Sequence, residues 1–552
     1  MDEAPCRGAR PLTFGRRFSL AFDTGFNALR RKYLKGCGWF LRHRWMAPLL
    51  ILLSAAALVW AMRTTKSGLI PQEDMGVVRI DVSTPPGSAL AFTKSVMDRI
   101  EDEVVSQIPE VRDYDNTAGF GIIAGQGGSH GSFTLRLKDW SQRPGKEHSV
   151  DAIMARIKEE TTDINEATVF TSTMPMIPGY GATNGFQLFI QDTKGGDINE
   201  LYQITTAFLN NLRERPEIGS ASTSFNPNFP QYRVDLDPAK CKRAGISPRE
   251  VLSVLQGYYG GSLSTKFNRF TKLYNVIVQA DPKYRVDKST LDNIFVRIGE
   301  EMAPITQFIT LTKIYAPESL SRFNMFPSIT ITGRAAQGYS SGDAIRAIAE
   351  VSKEALPIGY SYDFGGITRE EAASTNNTVI IFVICFVLIY LILSALYESF
   401  FLPFAVLLAV PTGLLGSFLL AKAMGLENNI YLQTGLIMLI GLISKTAILI
   451  TEYAVTKRRQ GFGLAQSALF AARERFRPIM MTVLTMVIGL FPLLVASGVG
   501  AKGNSTIGAG VIGGMTLGTL ALLFFTPALF IFFEALEEKV RPLKLDKEED
   551  EA

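Results

Sequence analysis

The chain has 552 residues, of which 47% are hydrophobic and 20% charged, with a mean hydropathy of +0.16. Soluble chains carry more charge and less apolar surface, so part of this one must sit in lipid, and a soluble enzyme or a fibrous or disordered chain is excluded. The net charge of +4 gives no sign of a nucleic-acid partner, because the surplus Lys and Arg lie beside apolar runs and form no single basic face.

The N-terminal stretch is Arg-rich and far longer than the charged part of a cleaved signal peptide, so the first apolar run, residues 45–62, reads as a retained transmembrane helix. Residues 1–44 before it form a cytoplasmic N-terminus. Within that stretch Phe22 to Phe40 mixes Leu, Phe and Tyr with Arg and Lys at near-helical spacing, which fits an amphipathic helix on the membrane surface or an ordinary solvated helix. Arg30, Arg31, Lys32, Lys35, Arg42 and Arg44 hold this end inside by the positive-inside rule. The polar stretch that follows then lies outside, in the periplasm of a Gram-negative cell. Cys6, Cys37, Cys241 and Cys385 show no CxxC spacing, and His43, His130 and His148 no ligand spacing, so no disulfide scaffold, metal or cofactor is expected.

The external stretch alternates strands and single helices. An alternating run over Val77 to Ser83 predicts a strand, followed by a helix from Ala89, strands at Val111 to Asn116 and Ser132 to Leu137, a helix from Val150 and a strand at Thr168 to Thr173. The order begins again with a strand at Gly185 to Gln191 and a helix from Asn199, passes through a hairpin-rich piece to about Thr312, and closes with a strand at Ser328 to Thr332 and a helix from Ser341. This return of one split β-α-β unit predicts ferredoxin-like α+β subdomains. Between the elements, GFGIIAGQGG at Gly119 to Gly128 is apolar and glycine-dense; it is expected to be a mobile loop, and it lacks phosphate-binding spacing. A hairpin over Gly260 to Val278 carries Lys266, Arg269 and Lys272, as a docking surface would.

Five further apolar runs fill residues 378–533, and a charged cytoplasmic tail occupies 534–552. The basic loop with Lys457, Arg458, Arg459, Arg473, Arg475 and Arg477 falls between the fourth and fifth spans, consistent with six crossings and both termini inside. Well inside the spans stand Lys445 and Glu452. A charge there costs about 2.5 to 3.5 kcal/mol or more, which marks a functional site. Glu452 lies one heptad beyond Lys445, roughly 10 Å away and too far for a tight pair. Either the lysine is neutral, or it snorkels, or a carboxylate arrives from another polypeptide. Arg475 and Thr482 share a face of the next span; as a relay they would serve Lys445, and otherwise Arg475 anchors the span and Thr482 bonds its own helix backbone. Glycines at 413, 416, 435, 441, 508, 510, 513 and 514 predict close helix contacts.

GLISKTAILITEYA around Lys445, RFRPIMMT through Thr482, ALYESFFLPFAVLLAVPTGLLG and GNSTIGAGVIGGM, with LIPQEDMG, GFGIIAGQGG, LKDWSQRPG and LPIGYSYDFGG, closely resemble resistance-nodulation-division (RND) efflux permeases of the hydrophobe and amphiphile exporting branch. The resemblance is to the C-terminal half of such a permease. It implies a membrane α-helical fold of six transmembrane helices with a periplasmic α+β region, made of porter subdomains at 73–180 and at 181–228 with 313–370, and a docking subdomain at 229–312. It implies no enzyme activity but proton-driven export from the inner membrane, a trimeric assembly, a periplasmic adaptor and an outer-membrane channel. An N-terminal half permease would supply the paired aspartates facing Lys445, with Thr482 and Arg475 in the relay. The glycine-rich stretch, with Gly119, Phe120, Gly121 and Ile122, would be a switch loop beside a pocket formed by Arg79, Asp81, Thr134, Phe170 and Met174. That pocket is more polar than usual for the family, which implies amphiphilic or charged substrates.

Two other readings stand beside this one: a non-transporting remnant, and a membrane-anchored periplasmic interaction module. The first eleven residues do not resemble the family's linker, which favours a split or truncated reading frame. Ser444 and Lys445 point about 100° apart on a helix and form no catalytic dyad.

Overall fold

The computed structural model describes residues 14–43 and 45–540. The first eleven residues, Cys6, Arg44 and the tail beyond residue 540 lie outside the described residues. Helix α1 (Phe14–Arg42) is amphipathic, and protein covers Tyr33, Cys37 and Leu41 of its apolar residues while Phe22, Leu29 and Trp39 stay exposed. Tyr33 stacks on Phe476 with ring centres 4.6 Å apart and donates its hydroxyl proton to the Leu523 carbonyl at 2.9 Å. The solvated-helix reading therefore does not hold for Tyr33, Cys37 and Leu41, which are buried. Helix α2 (Met46–Thr64) follows, apolar on all sides.

The first α/β unit contains β1 (Val77–Ser83), α3 (Leu90–Glu103), β2 (Val111–Gly121), β3 (Gly125–Leu137), α4 (Val150–Glu160) and β4 (Thr168–Thr173). The sheet order is β2-β3-β1-β4, all antiparallel, with both helices on one face. The strand period of two turns Val78, Ile80 and Val82 into a core with Ile100, Phe133, Leu135, Ile153 and Ile157, and leaves Arg79, Asp81 and Ser83 on the opposite face. The glycine-dense stretch differs from the loop expected of it. β2 and β3 run into it and pair to the end, Phe120 with Gln126 and Gly121 with Gly125, leaving a tip of Ile122 to Ala124. Gly125, at φ +86°, supplies the left-handed residue that a three-residue hairpin turn requires.

The second unit repeats this order but is interrupted. It begins with β5 (Phe186–Asp192), α5 (Ile198–Arg213) and β6 (Ile218–Ser222). An insertion follows, with β7 (Phe229–Leu236), α6 (Pro238–Ala244), α7 (Pro248–Leu255), β8 (Ser262–Arg269), β9 (Lys272–Val278), β10 (Phe295–Ile298), β11 (Glu301–Pro304) and β12 (Ile309–Ala316). The unit resumes with β13 (Ser321–Phe323), β14 (Phe326–Ala335), α8 (Ser341–Ala355) and β15 (Tyr360–Gly365). β14 pairs with β5 and β6, and β5 with β15, so the insertion leaves from one edge of the sheet and returns beside it. Strand β6 has no counterpart in the sequence reading, because its IGSAS residues are small and polar and carry no alternation of their own. The insertion closes its own core around Cys241, Val251, Leu291 and Phe308.

From β15 the chain passes straight into α9 (Gly366–Tyr397), then α10 (Leu402–Leu407), α11 (Val410–Ala423), α12 (Ile430–Arg459), α13 (Leu464–Leu494) and α14 (Ala501–Val540). With α2 these give, among the described residues, six helical segments long and apolar enough to cross a membrane, α10 and α11 counting as one. α14 runs on past Phe533, where the apolar run ends. α11 and α14 meet at glycines: a Cβ on Gly416 would lie 2.4 Å from the Gly513 carbonyl oxygen, and one on Gly513 2.5 Å from that of Gly416. Gly441 departs from the expected close contact, since nothing lies within 4 Å of a Cβ built there.

Candidate functional site: an unpaired membrane lysine and a cleft above the helices

α12 buries one face against α13 and α14 and leaves the other open, with Thr434, Met438, Gly441, Lys445 and Glu452 along it at near-helical spacing. Among the described residues Lys445 has no hydrogen-bond or ion-pair partner. Glu452 is exposed on the same face and forms no pair with it. On α13, Arg475 lays its guanidinium carbon 4.9 Å from the Tyr453 ring centre and keeps its Nε buried without a partner. Thr482 is exposed and donates to the backbone carbonyls of Pro478 at 3.0 Å and Ile479 at 2.9 Å. Three residues singled out in the sequence thus lie on two neighbouring helices, with no bond joining them. A carboxylate absent from that reading, Glu534, is 2% exposed; it lies one turn before Glu538, which pairs with Arg458 at 2.6 Å.

Between the α/β units and the helices lie cavities of about 930 and 210 Å³. The larger is walled by Ile177, Tyr180, Arg334 and Tyr339, with Glu371, Glu427, Asn429 and Lys502 below. Glu371 accepts from the Leu69 N–H at 3.1 Å and the Ser341 hydroxyl at 2.7 Å. Burial pushes its carboxyl above the usual value, the Ser341 and Leu69 donors pull against that, and Glu427 adds to the rise. Burial also raises Glu427, which Lys502 and Lys66 oppose in part. Asn429 is fully buried, caps α12 with its Oδ1 and keeps its Nδ2 unpartnered.

Three sequence motifs converge at this joint. In the segment before β1, Glu73 accepts from the backbone N–H groups of Gly500 and Gly503, capping the start of α14 with a carboxylate. The next residue, Asp74, holds Arg143 through two bonds of 2.6 and 2.7 Å. Burial alone would raise the Asp74 carboxyl, but Arg143 and the Gly76 N–H outweigh it and hold it below the usual value. Glu73, Asp74, Glu371 and Glu427 were not picked out from sequence; the LIPQEDMG motif was the available signal for the first two.

The predicted pocket residues divide. Arg79 pairs across strands with Thr134 and Ser172, and Asp81 with Phe170, so Arg79, Asp81, Thr134 and Phe170 share one sheet face. Phe170 also lines the smaller cavity. Arg79 donates to the Ala182 carbonyl at 3.1 Å. Gly119, Phe120 and Gly121 lie at the end of β2, Phe120 being 42% exposed, and Ile122 is in the tip. Met174 follows β4, half-buried, and lines neither cavity. Lys266 and Arg269 on β8 and Lys272 on β9 stand on an exposed hairpin whose turn residues, Phe270 and Thr271, have φ of 52° and 63°. Exposed Leu263, Phe267, Phe270, Leu273 and Ile277 accompany them, an apolar surface with a basic tip.

Among the described residues, six helical segments long and apolar enough to cross a membrane are joined to two copies of one α/β unit with a cavity between them, the architecture of a membrane protein. Residues 7–534 match the family model described as the AcrB/AcrD/AcrF family, and the chain belongs to that family. It is 32% identical over 546 residues to multidrug resistance protein MdtF of Escherichia coli K12, covering 97% of this chain and 52% of that protein. It is 33% identical over 520 residues to the multidrug export protein AcrF of the same organism, covering 92% and 50%. With the toluene efflux pump membrane transporter TtgB of Pseudomonas putida it shares 31% over 525 residues, 95% of this chain and 50% of the transporter. The chain spans about half the length of these curated relatives.

Proposed function

We propose that this chain acts as one half of a proton-driven RND exporter of amphiphilic or charged small molecules, the C-terminal half, and needs a second, N-terminal half to supply the carboxylates facing Lys445. The observation that carries the reading is Lys445 itself, a cation on an uncovered stripe of a membrane helix with no partner among the described residues. Such a charge is costly unless another helix brings it a counter-charge, and a lysine and acid alternating between paired and unpaired states move a proton. Thr482 and Arg475 serve the relay from α13. Family membership and the relatives, multidrug and toluene efflux proteins, support export.

In this reading residues 73–180, and 181–228 with 313–370, are porter subdomains in the periplasm of a Gram-negative cell, and 229–312 is the docking subdomain. The termini face the cytoplasm, the helices lie in the inner membrane, and the assembly is a trimer working with a periplasmic adaptor and an outer-membrane channel. The hairpin of Lys266, Arg269 and Lys272 is a docking contact. The cleft over Glu371, Glu427 and Lys502 receives substrate, and its mixed charge suits amphiphiles better than flat neutral rings.

The test is efflux and co-purification in native membranes. A co-purifying six-span half with intramembrane aspartates, and loss of efflux in an assembled Lys445→Ala variant, are the expected results. Full efflux in that variant at wild-type abundance overturns the relay. Purification of the chain with no such half, and no efflux from wild type, favours the remnant reading.

A further inference from the structure

Asp81 lies in the middle of the first sheet, on the face turned away from the helices, with Ser132 opposite it on β3 and Phe170 on β4. It is 6% exposed, and no cation forms an ion pair with it among the described residues. Burying a carboxylate is costly unless donors meet it. The donors come from the hairpin tip: Oδ1 accepts from the Ile122 N–H at 2.5 Å and from the Ile123 N–H at 3.3 Å, while Oδ2 has no partner. The charged groups nearby are Arg79, which spends Nη1 on Ala182, and His130 on β3, which sits 3.4 Å from Glu318. Burial leaves the Asp81 carboxyl above the usual value even against the pull of Ile122, Ile123, Arg79 and His130.

Glycines stand on both sides of the tip. Gly119 and Gly125 flank it at φ +90° and +86°, conformations that glycine adopts without strain. A Cβ on Gly121 would meet Asp81 Oδ1 at 3.4 Å, so the tip sits at contact distance from the carboxylate.

We propose that Asp81 is the latch of the β2–β3 hairpin, a positioning residue whose carboxylate holds the Ile122 to Ala124 tip down on the polar sheet face. Latched, this wall presents Ile122 and Ile123; released, it presents Arg79 and Asp81. The latch would thus set what a substrate meets on this sheet face, a consequence that rests on the export reading above, whereas the latch itself does not.

Amide hydrogen exchange on the purified full chain, in wild type and in Asp81→Ala and Asp81→Asn variants, tests it. The Ile122 and Ile123 amides are expected to exchange about tenfold faster or more in Asp81→Ala, the effect of losing an ionised acceptor, with β1, β3 and β4 unchanged. Asp81→Asn keeps the shape and one acceptor oxygen and should fall between the two. Unchanged exchange at both amides with an intact sheet overturns the latch, and so does exchange rising evenly through β1, β3 and β4 in Asp81→Asn. In exporting cells the freed tip should change KM for a charged amphiphile while the level of assembled protein holds. Faster tip exchange in a chain that exports nothing, wild type included, keeps the latch and removes the transport reading.

Discussion

Gly416 and Gly441 show two different states of one helical bundle. At Gly416, α11 and α14 approach until no Cβ fits; at Gly441, α12 meets nothing. The contrast extends to whole helices. Over an apolar window, 56% of residues are buried in Leu402–Ala423, Ile430–Arg459 and Ala501–Val540, against 11% in Ile380–Tyr397 and Leu464–Leu494. The first group has its packing partners within the chain. The second offers mostly apolar faces to its surroundings, whereas Lys445 stands on the one uncovered stripe of α12, a helix of the first group. Apolar exposure alone is what lipid requires, so the apolar faces by themselves do not distinguish lipid from a protein partner; Lys445 is the position at which the two can be told apart, because a charge there is costly without a counter-charge.

The sharpest way to break this comparison is Gly416→Leu. The side chain would enter the backbone of α14, and the expected cost is about 3 kcal/mol or more, read as loss of folded chain in detergent unfolding. Next comes Lys445→Ala, expected to abolish proton-coupled efflux while leaving the unfolding midpoint of the isolated chain within error of wild type. If the midpoint falls instead, the lysine is part of the chain's own packing. Glu73→Gln weakens the carboxylate cap that ties the extramembrane region to α14, and a loss of about 1 kcal/mol is expected in the same unfolding assay.

A pH series probes the floor of the cleft. Burial raises the Glu371 and Glu427 carboxyls above the ordinary 4.5. The folded chain therefore binds more protons than the unfolded one between that value and the raised ones, and stability falls as pH rises through the window. Glu371→Gln should flatten that slope. The smallest effect belongs to Gly441→Ala, which should leave the isolated chain as stable or up to about 1 kcal/mol more so through helix propensity. A loss of efflux in that variant would mark the open face as one that another helix must approach.

Much of the fold was legible because its signals are local. The strand over Val77 to Ser83 follows from seven alternating residues, and the same six apolar runs appear as membrane-length helices, since length and apolarity suffice for that assignment. β6 was missed because its neighbour β14, more than a hundred residues away, makes it a strand. The stretch Gly119 to Gly128 reads as a loop because glycine density signals a break in regular structure, whereas pairing of β2 with β3 carries the strands into it and the Asp81 carboxylate bonds its tip.

The candidate site divides along the same line. Lys445, Arg475 and Thr482 stood out from sequence because a polar group in an apolar run is conspicuous wherever its partners are. Glu73, Asp74, Glu371 and Glu427 lie in polar segments where an acid attracts no notice. By itself the sequence determined the membrane spans, the α/β repeat and the identity of the intramembrane cation, all properties of short windows of residues. Tertiary structure alone decided that Glu73 caps α14, that Asp74 grips Arg143, that Asp81 holds the hairpin tip, and that Lys445 faces outward. Each depends on groups brought together from distant parts of the chain, and a buried charge takes its energy from those neighbours and not from its place in the sequence.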